Sequence, residues 1–409
     1  MKRILSVFLG VLTAIGGFVD IGDLVANALA GARFGLSLVW VTMLGVVGIC
    51  LFAEMSGRVA AVTRRGTFDV IRERLGPRAG LINLVASVLV TVLTFTAEIG
   101  GVALALELAT SVNYLLFVPV VGFAVWLVIW RLKFSALENV FGLLGLALIV
   151  FAVALWKLGP DWSEFLHSIV APRKPATEDL STYLYYGVAL FGAALTPYEV
   201  FFFSSGAVEE RWTAKDIATS RVNVFLGFPL GGLLSVAIAG CAALVLMPQG
   251  IEVDTLGQVG LPVAVAVGKL GLAVAILGFV AATFGAALET GLSTGYSVAQ
   301  YFGWQWGKFV KPRQAARFHI VVLLSLMAAI AGVLTTADPI KVTEYSIVFS
   351  AVALPLTYFP ILVVSNDPVY MGEHVNGRLS NVLGTLFLFI IGIVAVAAIP
   401  LMLITAAGQ

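Results

Sequence analysis

The sequence predicts an all-α polytopic membrane protein that crosses the bilayer eleven times, with its first and sixth helices broken near the midplane. Three observations predict this. The 409 residues are 60% hydrophobic and only 11% charged, with a mean hydropathy of +1.02, more apolar than a soluble core of this size requires. Apolar runs of spanning length, about 17–25 residues, recur with short polar breaks. Two carboxylates, Asp20 and Asp23, sit inside the first run, and Pro197 interrupts the sixth.

Taken in order, the spans are centred as follows. Span one covers 5–33 and is broken near 19–24. Spans two to five cover 37–58, 80–110, 114–131 and 138–157. Span six covers 182–208, broken near 193–198. Spans seven to eleven cover 222–248, 262–300, 316–335, 341–364 and 380–405. The longest polar link, 157–181, is too short for a soluble domain, so 1–409 reads as a single transporter domain. Within it, repeat one is expected over about 5–157 and repeat two over about 182–364, with an extra helix over about 380–405. Met1-Lys2-Arg3 before an apolar run resembles a secretory leader, but no small-residue cleavage site follows, so the run is read as span one.

Direction follows from the basic residues. Of the 24 lysines and arginines, only Arg33, Lys157, Arg173, Lys174, Lys341 and Lys269 fall outside one alternating set of loops. By the positive-inside rule this places the N-terminus in the cytoplasm and the C-terminus outside a cell or inner membrane. The alternation holds for an odd number of spans. A net charge of +1 gives no field to hold nucleic acid. Cys50 and Cys241 lie in apolar runs and read as packing residues. No nucleophile–base pair, phosphate loop or cofactor motif appears, so neither an enzyme nor a bound cofactor is expected. A monomer is expected.

The segment Gly16-Gly17-Phe18-Val19-Asp20-Ile21-Gly22-Asp23 carries the chemistry. A charge at bilayer depth costs about 2.5–3.5 kcal/mol on insertion scales, so two acids three residues apart need a compensating partner. Spans one and six lie five apart, the pattern of inverted five-helix repeats whose discontinuous helices line a substrate site. Broken backbone is tolerated at this depth only where it faces a cavity. The plainer alternative is a glycine packing notch in span one and a proline kink in span six. Acids at both breaks favour a site.

The motifs carry a resemblance along nearly the whole chain. Asp20-Ile21-Gly22-Asp23, Ala28-Leu29-Ala30-Gly31-Ala32-Arg33-Phe34-Gly35, Ala97-Glu98-Ile99-Gly100-Gly101, Thr196-Pro197-Tyr198, Thr294-Gly295-Tyr296-Ser297-Val298-Ala299-Gln300 and Met371-Gly372-Glu373-His374-Val375-Asn376 stand in this order. The chain resembles the natural resistance-associated macrophage protein (NRAMP) family of divalent-metal transporters, whose corresponding first motif is Asp-Pro-Gly-Asn and whose sixth-helix motif is Met-Pro-His. The resemblance implies the LeuT-like fold, two inverted five-helix repeats plus an eleventh helix, with a divalent metal as substrate at the midplane.

The departures are chemical. Thr196 stands where the family has its methionine, Asp23 where it has asparagine, and Tyr198 where it has histidine. The implied substrate site is Asp20, Asp23, the carbonyl of Ala193 and Thr196, an all-oxygen set that suits Mg2+, Ca2+ or Mn2+ better than softer metals. The family's magnesium-transporting branch also lacks the methionine. Gly22, Tyr198, Glu199 and Glu289 are candidates for extra or outer contacts. Glu98 matches a family acid associated with proton transfer and reads alternatively as a structural carboxyl. Glu54 and Glu107, near span ends, are expected to snorkel.

Proton coupling is expected to be weak or absent. Phe95 stands one turn before Glu98 where family symporters have aspartate, and a phenol such as Tyr198, with an ordinary pKa of about 10, is a poor relay. Phe201, Phe202 and Phe203 read as packing rather than a gate, and Trp304 and Trp306 as interfacial anchors. The competing class is a carrier of the same architecture for a cationic or zwitterionic organic substrate, since fold alone does not fix cargo. A scaffold without transport is the weakest reading.

Overall fold

The computed structural model describes Val11, Ile15, residues 18–335 and residues 338–408, and among these the regular structure is all helix, with no strand. Much of the first half of span one, including Gly16-Gly17, lies outside the described residues. Phe18 is helical, Val19 and Asp20 are not, and α1 (Ile21–Phe34) follows. α2 (Val39–Thr63) ends at Arg64, in the left-handed region at φ 56°. A short helix, α3 (Thr67–Leu75), precedes α4 (Pro77–Thr110), which opens on a proline at its first turn, where a missing N–H leaves no bond unmade. α5 (Tyr114–Arg131) begins at Asn113, whose side chain accepts from Leu115 N–H.

Span five is two helices, α6 (Phe134–Gly145) and α7 (Ile149–Leu158), joined by a 3-10 turn over Leu146–Leu148. The following link holds an unforeseen helix, α8 (Trp162–Val170). Span six is α9 (Leu180–Ala194) and α10 (Pro197–Glu209), and span seven is α11 (Ile217–Val245). Span eight differs from the sequence reading. It divides into α12 (Leu256–Val267) and the span proper, α13 (Lys269–Phe302), because Gly268 adopts φ +81°, which no helix continues through. The bundle closes with α14 (Ala316–Thr335), α15 (Pro339–Ser365), the short α16 (Pro368–Met371) and α17 (Arg378–Ile404). Among the described residues ten helices are long and apolar enough to cross a membrane, and α1 supplies the second half of the broken first span.

Which helices touch repeats itself when each span is exchanged for the one five places on. α4 and α13, spans three and eight, pack on each other. α1 packs on α11 as α10 packs on α2; α4 on α15 as α13 on α6; α5 on α4 as α14 on α13. Such exchange symmetry is what inverted repeats produce. α17 stands outside it, resting on α15 and α9, and is largely exposed, whereas α9 and α10 are almost wholly buried.

Two glycines let backbones meet around the breaks. A Cβ at Gly31 of α1 would sit 2.2 Å from the Ala239 carbonyl of α11, and one at Gly192 of α9 would sit 2.4 Å from the Ile347 carbonyl of α15. No side chain fits at either place.

Candidate substrate site at the two helix breaks

Asp20 is the N-cap of α1, extended at φ −101° and ψ −174°. Its Oδ1 accepts the N–H of Asp23 at 2.9 Å. Glu98 reaches across from α4, and its Oε1 accepts the N–H of Ile21 at 3.3 Å. Two carboxylates therefore satisfy the amides that a helix start leaves unpaired, and they sit at the positive end of its dipole. Glu98 Oε2 is buried without a hydrogen-bond partner among the described residues. Asp23 lies in the first turn. Asn27, one turn on, donates from Nδ2 to the Asp23 carbonyl at 2.9 Å and to Oδ1 at 3.3 Å. Thr42 of α2 in turn donates to Asn27 Oδ1 at 3.0 Å. Gly22 is tightly placed: a Cβ there would meet Ile347 of α15 at 2.9 Å and Asp20 Oδ1 at 3.0 Å.

The second break has a different chemistry. Leu195 (φ −127°, ψ 42°) and Thr196 (φ −61°, ψ 130°) leave the helix, and Pro197 restarts it. Proline has no N–H, so the Ala193 carbonyl four residues earlier loses the donor a continuous helix would give it. The Leu195 carbonyl accepts from Tyr358 Oη at 3.1 Å. Thr196 makes no side-chain cap to its own helix; its hydroxyl donates to Glu199 Oε2 at 3.4 Å. Tyr198 Oη donates to Asp20 Oδ2 at 3.1 Å, tying the two breaks together. From α13, Ser293 Oγ donates to the Tyr198 carbonyl at 3.0 Å.

Asp20, Asp23, Glu98, Ala193, Thr196, Tyr198 and Glu199 are all buried. Glu289 of α13 is partly buried and feels the charge of Asp20, while Glu199 feels Glu289, Asp20 and Asp23. Among the described residues no three His, Cys, Asp or Glu side chains form a ready metal cage. Among the described residues the arrangement gathers acids and oxygen donors around the two breaks, and Asp20 and Asp23 are partly occupied by the helix start, Asn27 and Tyr198.

Several partners were missed from the sequence. Asn27 sits four residues after Asp23, the spacing at which side chains meet on a helix, and was legible. Thr42, Ser293 and Tyr358 were not, because single hydroxyls are ordinary in apolar helices. Glu54 corrects an expectation. It does not snorkel but is buried between Arg58 and Arg221, accepting from Nε of each at 3.0 and 2.8 Å. Phe201, Phe202 and Phe203 pack on Phe68, Phe134 and Phe228 respectively. Trp304 stacks on Phe302 and lies under Arg317.

The family model for natural resistance-associated macrophage protein-like (Nramp) sequences matches residues 10–400. The chain belongs to the Nramp family. Among relatives, a divalent metal cation transporter MntH of Erwinia tasmaniensis is 25% identical over 393 residues, covering 92% of this chain and 89% of its own. MntH 1 of Pseudomonas aeruginosa, also a divalent metal cation transporter, is 27% identical over 398 residues, covering 92% and 87%. Among solved structures, the manganese transporter of Eremococcus coleocola aligns with a TM-score of 0.74 at 18% identity, over 95% of this chain and 84% of that one. A Na+-coupled sialic acid symporter aligns with a TM-score of 0.63 at 13% identity, over 96% and 89%. At such identities the likeness concerns the fold. This Nramp chain has the LeuT-like fold of a multi-pass membrane protein, and its relatives are named as transporters rather than enzymes.

Proposed function

We propose that this Nramp chain moves a hard divalent metal ion, Mg2+ or Mn2+, into the cytoplasm by alternating access, with proton coupling weak or absent. The observation that carries the reading is the burial of Asp20 and Asp23 at one helix break, opposite a second break whose Ala193 carbonyl has lost its helical donor. Relatives named as divalent metal cation transporters support the cargo class. We assign contact with the ion to Asp20, Asp23, the Ala193 carbonyl and Thr196. Gly22, Tyr198, Glu199 and Glu289 surround them, and Glu98 acts as a structural carboxyl at the α1 start.

All-oxygen donors with no sulfur favour hard cations. Two positive charges gain about 4.6 kcal/mol from a 100 mV potential, at roughly 2.3 kcal/mol per charge, so accumulation needs no proton. In this reading the N-terminus is cytoplasmic, the C-terminus external, the protein a monomer of the plasma or inner membrane, and the repeats run over about 5–157 and 182–364.

Isothermal calorimetry with Mg2+, Mn2+ and Ca2+ tests the assignment. The wild type is expected to bind at least one of the three, and Asp20→Ala and Asp23→Ala to abolish it. In proteoliposomes, metal entry is expected without acidification of the lumen; acidification in proportion to entry would refute the uncoupled mechanism. One observation favours a second reading, a cationic organic substrate: Tyr198 occupies an oxygen of Asp20, and no three acidic, histidine or cysteine side chains among the described residues form a ready cage. A wild type that binds none of the three metals would select it.

A further inference from the structure

Away from the breaks, α2, α11 and the start of α17 enclose a cavity of about 380 Å³, within the size range of ligand pockets, roughly 300–1,000 Å³. Its walls include Arg58 of α2, Lys215 just before α11, Ile217 and Arg221 of α11, and Gly377 and Ser380 at the α17 start. Three cations meet two carboxylates here, Glu54 beneath and Glu373 at the rim. Arg58 is spent: its guanidinium donates to Glu54, to the His374 carbonyl at 2.5 Å and to Asn376 Oδ1 at 2.5 Å. Arg221 spends only Nε on Glu54, and its side chain is 54% exposed. Lys215 is exposed and makes no ion pair or hydrogen bond among the described residues. The Glu373 side chain is 90% exposed and lies 3.8 Å from His374, so it does not neutralise the interior.

The cavity opens onto a cleft. Both α11 and α17 rest on α2 but make scarcely any contact with each other. Val46 of α2 packs against Gly232 of α11, and Gly48 against Phe387 of α17. Val47 projects between these two contacts and is 51% exposed. At 100° per residue, Val47, Leu51, Glu54 and Arg58 share one face of α2. Val47 therefore stands about 16 Å along that face from Arg58, at 1.5 Å per residue, with Leu51 and Glu54 buried between them. Phe225, one turn from Arg221 on α11, is 50% exposed.

We propose that this cavity and cleft hold one anionic phospholipid, its phosphate at Lys215 and Arg221 and an acyl chain lying over Val47 between α11 and α17. Exposed cations at one end, Lys215 and Arg221, and exposed apolar side chains further into the membrane, Val47 and Phe225, fit a molecule with both parts. Basic pockets between spanning helices bind such headgroups, and each cation near an anionic headgroup contributes about fivefold in affinity, from about 1 kcal/mol.

The test uses the full chain in phosphatidylcholine vesicles doped with phosphatidylglycerol, extracted and weighed by native mass spectrometry. The wild type is expected to retain phosphatidylglycerol preferentially. Lys215→Ala is expected to lower that retention about fivefold, and Val47→Trp, which fills the cleft without changing charge, to lower it as well. Lys311→Ala, an exposed cation elsewhere, should leave it unchanged. Equal retention of both lipids by the wild type, or an equal loss in Lys311→Ala, would overturn the proposal. So would displacement by millimolar inorganic phosphate with no effect of Val47→Trp, which would make the cavity a site for soluble phosphate.

Discussion

The two helix breaks use the same backbone device with different densities of charge. At the first, the start of α1 is clothed by Asp20 Oδ1 and Glu98 Oε1, and Asp23 follows in the same turn. At the second, Pro197 has no N–H to offer, Thr196 does not cap, and the Ala193 carbonyl is left without its helical donor. The first break places Asp20, Asp23 and Glu98 on a positive helix end, and the second presents the Ala193 carbonyl beside a single acid, Glu199. Among the described residues, Tyr198 Oη on Asp20 Oδ2 is the side-chain hydrogen bond that joins them. The difference teaches that α1 supplies two of the acids at the breaks, while α4, α10 and α13 add Glu98, Glu199 and Glu289 around them.

The largest expected effect comes from neutralising the first break without uncapping it. Asp23→Asn keeps an oxygen and the Asn27 contact but removes one charge; a charge pair at 4 Å is worth about 4 kcal/mol at an effective dielectric of 20. Calorimetry should show Mg2+ affinity falling by at least tenfold, with thermal stability held; an unchanged affinity would move the metal away from Asp23. Thr196→Met changes the other break. Uptake competition should shift from Mg2+ and Mn2+ toward Cd2+ as the sulfur enters, and a selectivity that stays hard would remove Thr196 from the set of contacts.

Tyr198→Phe cuts the bond between the breaks. Hydrogen bonds to charged groups contribute about 1.5–3 kcal/mol, so the melting temperature should fall while metal affinity rises a few-fold, because Asp20 Oδ2 is released. A fall in both would make the phenol a metal contact instead. The smallest effect is expected at the far end of α10. There Glu209 accepts from Tyr296 Oη at 2.8 Å, Lys308 N–H at 2.5 Å and Phe309 N–H at 3.2 Å, and Lys308 Nζ donates to the Ile129 carbonyl. Burial pushes the Lys308 ammonium down from 10.5 to about 8, with Glu209 opposing and His319 nearby. Between about pH 8 and 10.5 the unfolded chain then binds more protons than the folded one, so stability should rise with pH over that window. Lys308→Met should flatten the rise, as read by thermal unfolding.

The transmembrane pattern was legible because apolar length is a direct consequence of bilayer thickness, and most span limits fall within a few residues of the observed helices. The two breaks were legible because carboxylates and proline are costly within such runs. Span eight was not, since a glycine such as Gly268 inside an apolar stretch carries no mark of its backbone angle. α3 and α8 were passed over as links because each has only nine residues. The Glu54–Arg58–Arg221 cluster was misread because only a tertiary contact brings Arg221 to the buried carboxylate. At the site itself, sequence identified the acids but not how many of their lone pairs the helix start already uses.

α4 and α13, packed on one another, are each 34 residues long. At 1.5 Å per residue each measures about 51 Å, against a hydrocarbon layer of about 30 Å. Neither can stand upright with its ends in register with shorter neighbours such as α5 and α14. Both must lean or project into the headgroups. Because the two pack on one another and are exchanged by the repeat symmetry, a mismatch met by one is met by both. Membrane thickness then acts on the scaffold through this pair, so bilayers of longer or shorter lipids should alter its tilt before they alter the helix breaks.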